Sequence, residues 1–531
     1  MSIVSRVCKN VASSWVGLGV QIVVTLLLTP VVLANLGLEA YGLWLLLQGL
    51  VGYYGLVDMG LRAGVTQSIT HRIATNDYRG VRRHIAAARP ILWKLSAAVL
   101  ALSVVASLVL PRLIDTAPDL QSAFFLIVII QGFGVAVQLP LMPYAAVLVG
   151  LQRYDLANGI AVCIKIVYAM LAYITLLLGG GIVALSAILA FTNLLDNLCR
   201  VRLAYRLVPE LRGSVDGDLS GEVSELFQFG IWNFLIQIGR RLIYYSDTLV
   251  VGTLFSAAAI APFGIAGSLV EYCNSLVKAS TRVLYPTMAS LHLNGERRQQ
   301  LALYLFSTRI CLIVSAAFLI IGYSHLRAFL LLWLSGPQDI TPVIEHSPPL
   351  FLLIGIAFAF VSLRRPGTQL LLAAKKLKEL ATVQFTEAII NLILSLGLGW
   401  WIGVEGVALG TLIPAVGLGV IWHLGAHADV LETTRFRILA SIVPGTTLYC
   451  VALLGTAWGL GHAFGRIDSW FALFGSATVY TLTATLLLPL GFESKERKSA
   501  WSALMRRFNS SKKASVPAAA MDSNAGAGSE S

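Results

Sequence analysis

Residues 11–34, VASSWVGLGVQIVVTLLLTPVVLA, run for 24 positions without one charged side chain. A bilayer hydrocarbon core about 30 Å thick is crossed by roughly 20 apolar residues in helical form, so this stretch is long enough to span. A signal peptide has a shorter apolar region and is not followed at once by a second one, so the stretch reads as a retained helix. Working outward from it, thirteen more stretches of the same kind follow, at 40–62, 88–110, 122–149, 156–178, 182–204, 227–254, 258–285, 301–322, 347–363, 378–402, 405–424, 435–460 and 469–490. Composition agrees: 57% of residues are hydrophobic, 12% are charged and the mean hydropathy is +0.77, against about 25% charged in soluble domains.

Alternating the connecting loops between two sides, starting from Arg6 and Lys9, puts 32 of the 39 Lys and Arg residues on one side. Three (Arg112, Arg327 and Arg466) fall on the other, and four lie inside apolar stretches. Cytoplasmic loops carry the excess of Lys and Arg, so fourteen helices with both termini in the cytoplasm are expected. The densest clusters are Arg72 to Arg89, then Arg364, Arg365, Lys375, Lys376 and Lys378, then the tail from Lys495 to Lys513. The net charge of +12 is spread over short loops on the face that meets anionic lipid, a pattern that argues for membrane lipids and against nucleic acid as partner. The longest loop on the opposite side, residues 323–346, contains Trp333 and is too short for a domain. Six cysteines stand at no metal-ligand spacing, so they read as small packing residues and no metal site is expected.

A faint internal repeat appears when residues 1–204 are laid against 227–424, with Tyr41-Gly42 and Phe263-Gly264 opening corresponding helices. The expected architecture is an all-α polytopic membrane protein with 14 transmembrane helices. It has an N-lobe over 1–204, a cytoplasmic linker over 205–226 and a C-lobe over 227–424. Two further helices lie within 425–490, and a basic, then disordered, cytoplasmic tail covers 491–531. Repeat-built transporters hold their substrate between the halves near the bilayer midplane, which predicts a central cavity between two six-helix lobes.

Ionisable side chains deep in a bilayer cost roughly 3 kcal/mol or more each and so face a cavity or a partner. In the seventh stretch Asn233, Gln237, Arg240, Tyr244 and Asp247 share an arc of about 80° at 100° per residue, with Arg241 beside it. This is the pattern of a wet cavity wall; a purely structural Arg240–Asp247 pairing, two turns apart, is the alternative. The eighth stretch carries Glu271, Asn274, Ser275, Lys278 and Arg282 on one face, the last two within reach of the cytoplasmic interface by snorkelling. Lys165 sits near the centre of the fifth stretch beside Tyr168, and the eleventh aligns Gln384, Glu387, Asn391 and Ser395. In the first stretch Ser14, Gln21, Thr25 and Thr29 line up near Pro30, which reads as a bend rather than a binding face. The chain has no GxxxxGK[ST] loop and no HExxH, so neither ATP-driven nor zinc-hydrolytic chemistry is expected.

With these features in view, three segments resemble the polysaccharide transporters of the multidrug/oligosaccharidyl-lipid/polysaccharide (MOP) exporter superfamily, which include O-antigen flippases. They are LLLTPVVLANLGLEAYGLWLLLQGL at 26–50, GLVDMGLRAGVTQSITHRIA at 55–74 and GRRLIYYSDTLVVGTLF at 239–255. The resemblance implies two lobes facing each other across a central cavity, in a bacterial inner membrane. It implies a non-enzymatic activity: moving a polyprenyl-diphosphate-linked oligosaccharide from the cytoplasmic to the periplasmic leaflet by alternating access, for O-antigen, capsule or exopolysaccharide export. Other polysaccharide-assembly proteins are then expected as partners. In that setting Arg240, Arg241, Lys165 and Arg282 suit the diphosphate, because guanidinium pairs with phosphate oxygens through two hydrogen bonds. Asn233, Gln237, Tyr244 and Tyr245 suit sugar hydroxyls. Asp247, Glu271 and Glu387 are the candidates for charge pairing or for coupling to a proton or sodium gradient; no cofactor is expected.

Two other classes fit the same hydropathy. A cation or drug exporter of the MATE type favours an acidic pocket, whereas Arg240, Arg241 and Lys165 occupy the centre here. A membrane glycan polymerase or ligase needs catalytic residues in external loops, and the longest such loop offers little beyond Arg327, Asp339, Glu345 and His346.

Overall fold

In the computed structural model, residues 3–57, 61–215, 217–228, 230–336 and 339–492 are described. The expected disordered tail lies outside them. Seventeen α-helices follow one another, with no strand among the described residues. They are α1 Ile3–Tyr54, α2 Leu61–Ala74, α3 Tyr78–Leu113, α4 Pro118–Gln138, α5 Met142–Gly150 and α6 Tyr154–Leu177. Next come α7 Ile182–Leu207, α8 Ser220–Gln228, α9 Gly230–Leu254, α10 Ala257–Arg282, α11 Leu284–Leu293 and α12 Arg297–Trp333. The chain ends with α13 Thr341–Ala373, α14 Leu377–Ile402, α15 Val404–Val430, α16 Arg435–Phe464 and α17 Trp470–Leu487.

Local chemistry sets many of the boundaries. Asp77, Ser256, Thr434 and Ser469 cap α3, α10, α16 and α17 by accepting the N–H three residues on, satisfying a donor that a helix start leaves orphaned. Gly37 has φ 86° and ψ 168°, a conformation that only glycine adopts without strain, and it breaks α1 between the first and second expected stretches.

Among the described residues twelve helical segments are long and apolar enough to cross a membrane, so this is a multi-pass membrane protein. The expected count of fourteen is not met on that measure, for two physical reasons. The first two stretches form one continuous element kinked at Gly37, and α9 carries Arg240, Arg241 and Asp247 through its middle. Two loop assignments are also corrected. Residues 323–333 belong to α12 and 341–346 to α13, so the expected loop at 323–346 shrinks to a short connection. Arg364 and Arg365, read as a cytoplasmic loop cluster, lie inside α13. A helix continues past the apolar stretch that reveals it whenever its polar residues find partners inside the protein.

Helices α2 to α5 and α7 pack chiefly among themselves, α6 lies along both α1 and α7, α9 to α15 pack chiefly with one another, and α16 and α17 pack against α12. The second half of α1 joins the two groups: Leu43, Leu46 and Leu47 share a core with Phe124 and Ile127 of α4, Ile260 and Ile265 of α10 and Phe351 of α13. The α1–α10 approach is close enough that a side-chain Cβ at Gly42 would fall on the Ala257 carbonyl. Large apolar side chains elsewhere are exposed, Trp400, Trp401, Trp458 and Phe471 among them. Contiguous apolar exposure of this kind belongs to a lipid-facing surface.

A charged cavity between the helices

A cavity of about 870 Å³ opens between α1, α6, α9, α10, α13, α14 and α15. Its charged lining consists of Lys165, Arg240, Lys278, Arg364 and Arg365 against Asp247, Glu271 and Glu387. The carboxylates are bound up with other side chains. Arg364 donates from Nη1 and Nη2 to Oε2 and Oε1 of Glu387 at 2.7 and 2.6 Å, linking α13 to α14 in the bidentate geometry that suits guanidinium and carboxylate. Asp247, 7% exposed, accepts from the hydroxyls of Ser395, at 3.0 Å, and Thr411. Asn391 donates to Thr411 at 2.8 Å and accepts from Ser246, so α9, α14 and α15 are laced together around that carboxylate. Glu271 accepts from Ser275 at 3.1 Å and from the amide of Asn274. That amide also donates to the Tyr244 hydroxyl, and its carbonyl accepts from Arg365. The lining thus carries five basic side chains against three acidic ones.

The expected site residues divide into three groups. Arg240, Lys165, Tyr244, Tyr245, Asp247, Glu271 and Glu387 all line the cavity, with Lys165 also set over the Tyr168 ring at 4.9 Å. Arg241 and Gln237 do not line it; the Arg241 guanidinium donates to the Gly52 carbonyl and so ties α9 to α1. The side chains of Asn233 and Arg282 lie outside the described residues.

Sequence reasoning left six contributors out of the site. Arg364 and Arg365 follow an apolar stretch and looked like loop residues. Lys278 reaches the cavity rather than only the interface, and Gln21, Thr25 and Thr29 of α1 line it although they were read as a bend. Their one usable signal was spacing: Arg364 continues the helical frame of the apolar stretch before it. The polar stripe on α14 also splits, Gln384 and Glu387 facing the cavity while Asn391 and Ser395 serve Asp247. Among the described residues no three His, Cys, Asp or Glu side chains gather as metal ligands.

Comparison with known proteins bears on the fold. A family model described as polysaccharide biosynthesis protein matches residues 97–332, just under half of the chain. No curated protein matches the sequence. A structure of the lipid II flippase MurJ in an inward closed conformation superposes with TM-score 0.63 at 11% identity, covering 90% of this chain and 97% of that one. An inward-facing multidrug-resistance MATE transporter of the MOP superfamily gives 0.60 at 13%, covering 82% and 97%. A MOP superfamily transporter from Pyrococcus furiosus, described as having a binding pocket of reverse polarity, gives 0.54 at 14%, covering 81% and 96%. The fold is thus that of MOP superfamily transporters, and the resemblance read from the sequence is met both by the family match and by the fold.

Proposed function

We propose that this chain is a flippase for a polyprenyl-diphosphate-linked oligosaccharide, working by alternating access in a bacterial inner membrane with both termini in the cytoplasm. The observation that carries the reading is the cavity's charge: Lys165, Arg240, Lys278 and Arg365 line it while Glu387, Asp247 and Glu271 are each engaged by neighbouring side chains. A greasy polyprenyl tail stays in lipid at no cost, whereas a diphosphate and its sugars need a hydrated passage with cations to replace lost solvation. Arg240 is accessible from the cavity and is the first contact for the diphosphate; Tyr244 and Tyr245 offer hydroxyls beside it. The lipid II flippase and the polysaccharide-biosynthesis match both support a lipid-linked glycan as cargo.

The same fold serves MATE transporters, so fold alone does not separate a glycan carrier from a drug exporter; the cationic lining favours the former. Energy enters through Asp247 in this reading. Its hydroxyl partners Ser395 and Thr411 leave its charge in place, so a proton or a sodium ion can neutralise it. The test is deletion followed by analysis of lipid-linked intermediates. Complete repeat units trapped on the inner leaflet support a flippase. Single units reaching the outer leaflet without joining into chains would mean a polymerase, and unchanged intermediates with raised drug sensitivity would mean an exporter.

A further inference from the structure

On the side assigned to the cytoplasm, α3, α5 and α7 gather a second set of cationic and hydroxyl groups. Nη2 of Arg89 on α3 donates to the Tyr144 hydroxyl of α5 at 3.1 Å, and that hydroxyl meets the Tyr205 hydroxyl of α7 at 2.7 Å. Arg89 and Arg212 both stand close enough to Tyr205 to act on its hydroxyl electrostatically. Arg212 is carried by the short turn Pro209–Arg212, which packs against α3 and is tied there by the Arg82 guanidinium donating to the Glu210 carbonyl at 3.0 Å. Arg89 and Arg212 are exposed, and none of Arg89, Tyr144, Tyr205 and Arg212 lines the cavity.

This set offers donors and no counter-charge. The carboxylates that α8 brings to α3, Glu222 and Glu225, are taken by Arg83, Arg72 and His84. Among the described residues neither Arg89 nor Arg212 forms an ion pair with a carboxylate, and Glu210, two positions before Arg212, pairs with neither. Tyr144 is buried, so its proton needs an acceptor inside the protein, and Tyr205 is the one it meets. The half-buried Tyr205 hydroxyl is then free to donate outward. Two guanidinium groups and a phenolic proton make a donor set for an oxyanion, and guanidinium grips phosphate oxygens through paired hydrogen bonds.

Depth decides where that anion comes from. Beyond Arg89, α3 exposes Trp93, Leu100, Val104 and Leu108, all within an arc of about 100° of Arg89. At about 1.5 Å per residue Leu108 lies about 28 Å from Arg89, close to the thickness of the hydrocarbon core. Arg89 therefore sits at headgroup depth at the end of a stripe that meets acyl chains, with Trp93 at the interfacial level that suits an indole. A soluble anion gains nothing from such a stripe, whereas an anionic phospholipid uses both parts.

We infer that Arg89, Arg212 and Tyr205 hold the phosphate of an anionic phospholipid, whose acyl chains lie along α3. The site is separate from the transport cavity and stands whatever the cavity carries.

The test titrates the full-length protein, in a neutral detergent, with phosphatidylglycerol or phosphatidylcholine and counts bound lipid by native mass spectrometry. Phosphatidylglycerol should bind the more tightly. Arg89→Gln and Arg212→Gln should each weaken it about tenfold, the scale of one charge-assisted hydrogen bond, and Tyr205→Phe should weaken it in the same direction. Arg437→Gln, which removes an exposed cation of α16, should leave it unchanged. Equal weakening by Arg437→Gln, or none by Arg89→Gln and Arg212→Gln, would reduce the effect to general surface charge and overturn the site. Displacement of the phospholipid by inorganic phosphate would assign the site to a soluble anion. Displacement by undecaprenyl diphosphate at lower concentration would assign it to the carrier lipid, and either result overturns the phospholipid assignment.

Discussion

The indole N–H of Trp333 donates to the carbonyl oxygen of Leu26 at 2.7 Å, and Leu26 is the residue four before Pro30. Proline has no N–H, so inside a helix it leaves the carbonyl at that position without its usual donor. Within a membrane water cannot serve instead, and the end of α12 supplies the missing bond. Replacing Trp333 by Phe should therefore destabilise the protein by about 1–3 kcal/mol, read as a lower thermal unfolding midpoint in detergent. Adding Pro30→Ala, which restores the helical N–H, should recover most of the loss. No recovery in the double variant would mean that Trp333 acts by packing alone.

Arg364 and Glu387 form a buried pair whose side chains are 9% and 3% exposed. Removing one partner leaves an uncompensated charge, which costs about 3–5 kcal/mol, whereas replacing both by apolar residues of similar size is close to neutral. Glu387→Gln alone should therefore reduce the amount of folded protein sharply, and Arg364→Met with Glu387→Met should restore it. Quantitative membrane immunoblotting against the unaltered chain decides the matter; equal loss in both variants would count against the pairing.

Arg240→Ala should abolish surface glycan without lowering the amount of protein in the membrane, and Arg240→Lys should rescue only partly, because an ammonium lacks the fork that grips two phosphate oxygens. Normal glycan display in Arg240→Ala cells would remove Arg240 from the transport path.

Asp247→Asn keeps an oxygen acceptor toward Ser395 and Thr411 but removes the charge. Transport into proteoliposomes should persist at a reduced rate and lose its dependence on an imposed proton or sodium gradient. A variant that still responds to the gradient would move the coupling elsewhere.

Where α2, α3 and α8 meet, Glu225 bonds His84 at 2.9 Å, Arg72 at 3.2 Å and Ser68 at 3.2 Å. Burial pushes its carboxyl up, but these bonds outweigh it and hold the group below the usual carboxylate range. The Gly80 N–H and then Arg72 do the same for Asp77. Depressed folded values mean that the stabilisation is complete above the ordinary carboxylate range and is lost as pH falls through the lowered values. Docking of α8 should thus hold at neutral pH and loosen in acid below the ordinary carboxylate range, seen as faster hydrogen exchange over residues 220–228. Equal protection of α8 at both pH values would refute this.

Much of this molecule is written along its chain. A membrane-spanning helix is a local object, since about 20 consecutive apolar residues satisfy their own backbone groups and need no distant partner. For that reason the helices, the polar stripe of α9 and the pairing of Lys165 with a cavity are legible from residues 1–492. Partnership is not local. Arg364 looks like a loop residue until Glu387, 23 positions later, arrives from the next helix to neutralise it. Arg241 looks like a twin of Arg240 until the turn of α9 sends it to Gly52. His423 carries no pattern at all in sequence. Only the packing around α15 buries it without a hydrogen-bond partner, because whether a buried polar atom is satisfied depends on what the fold places within about 3 Å of it.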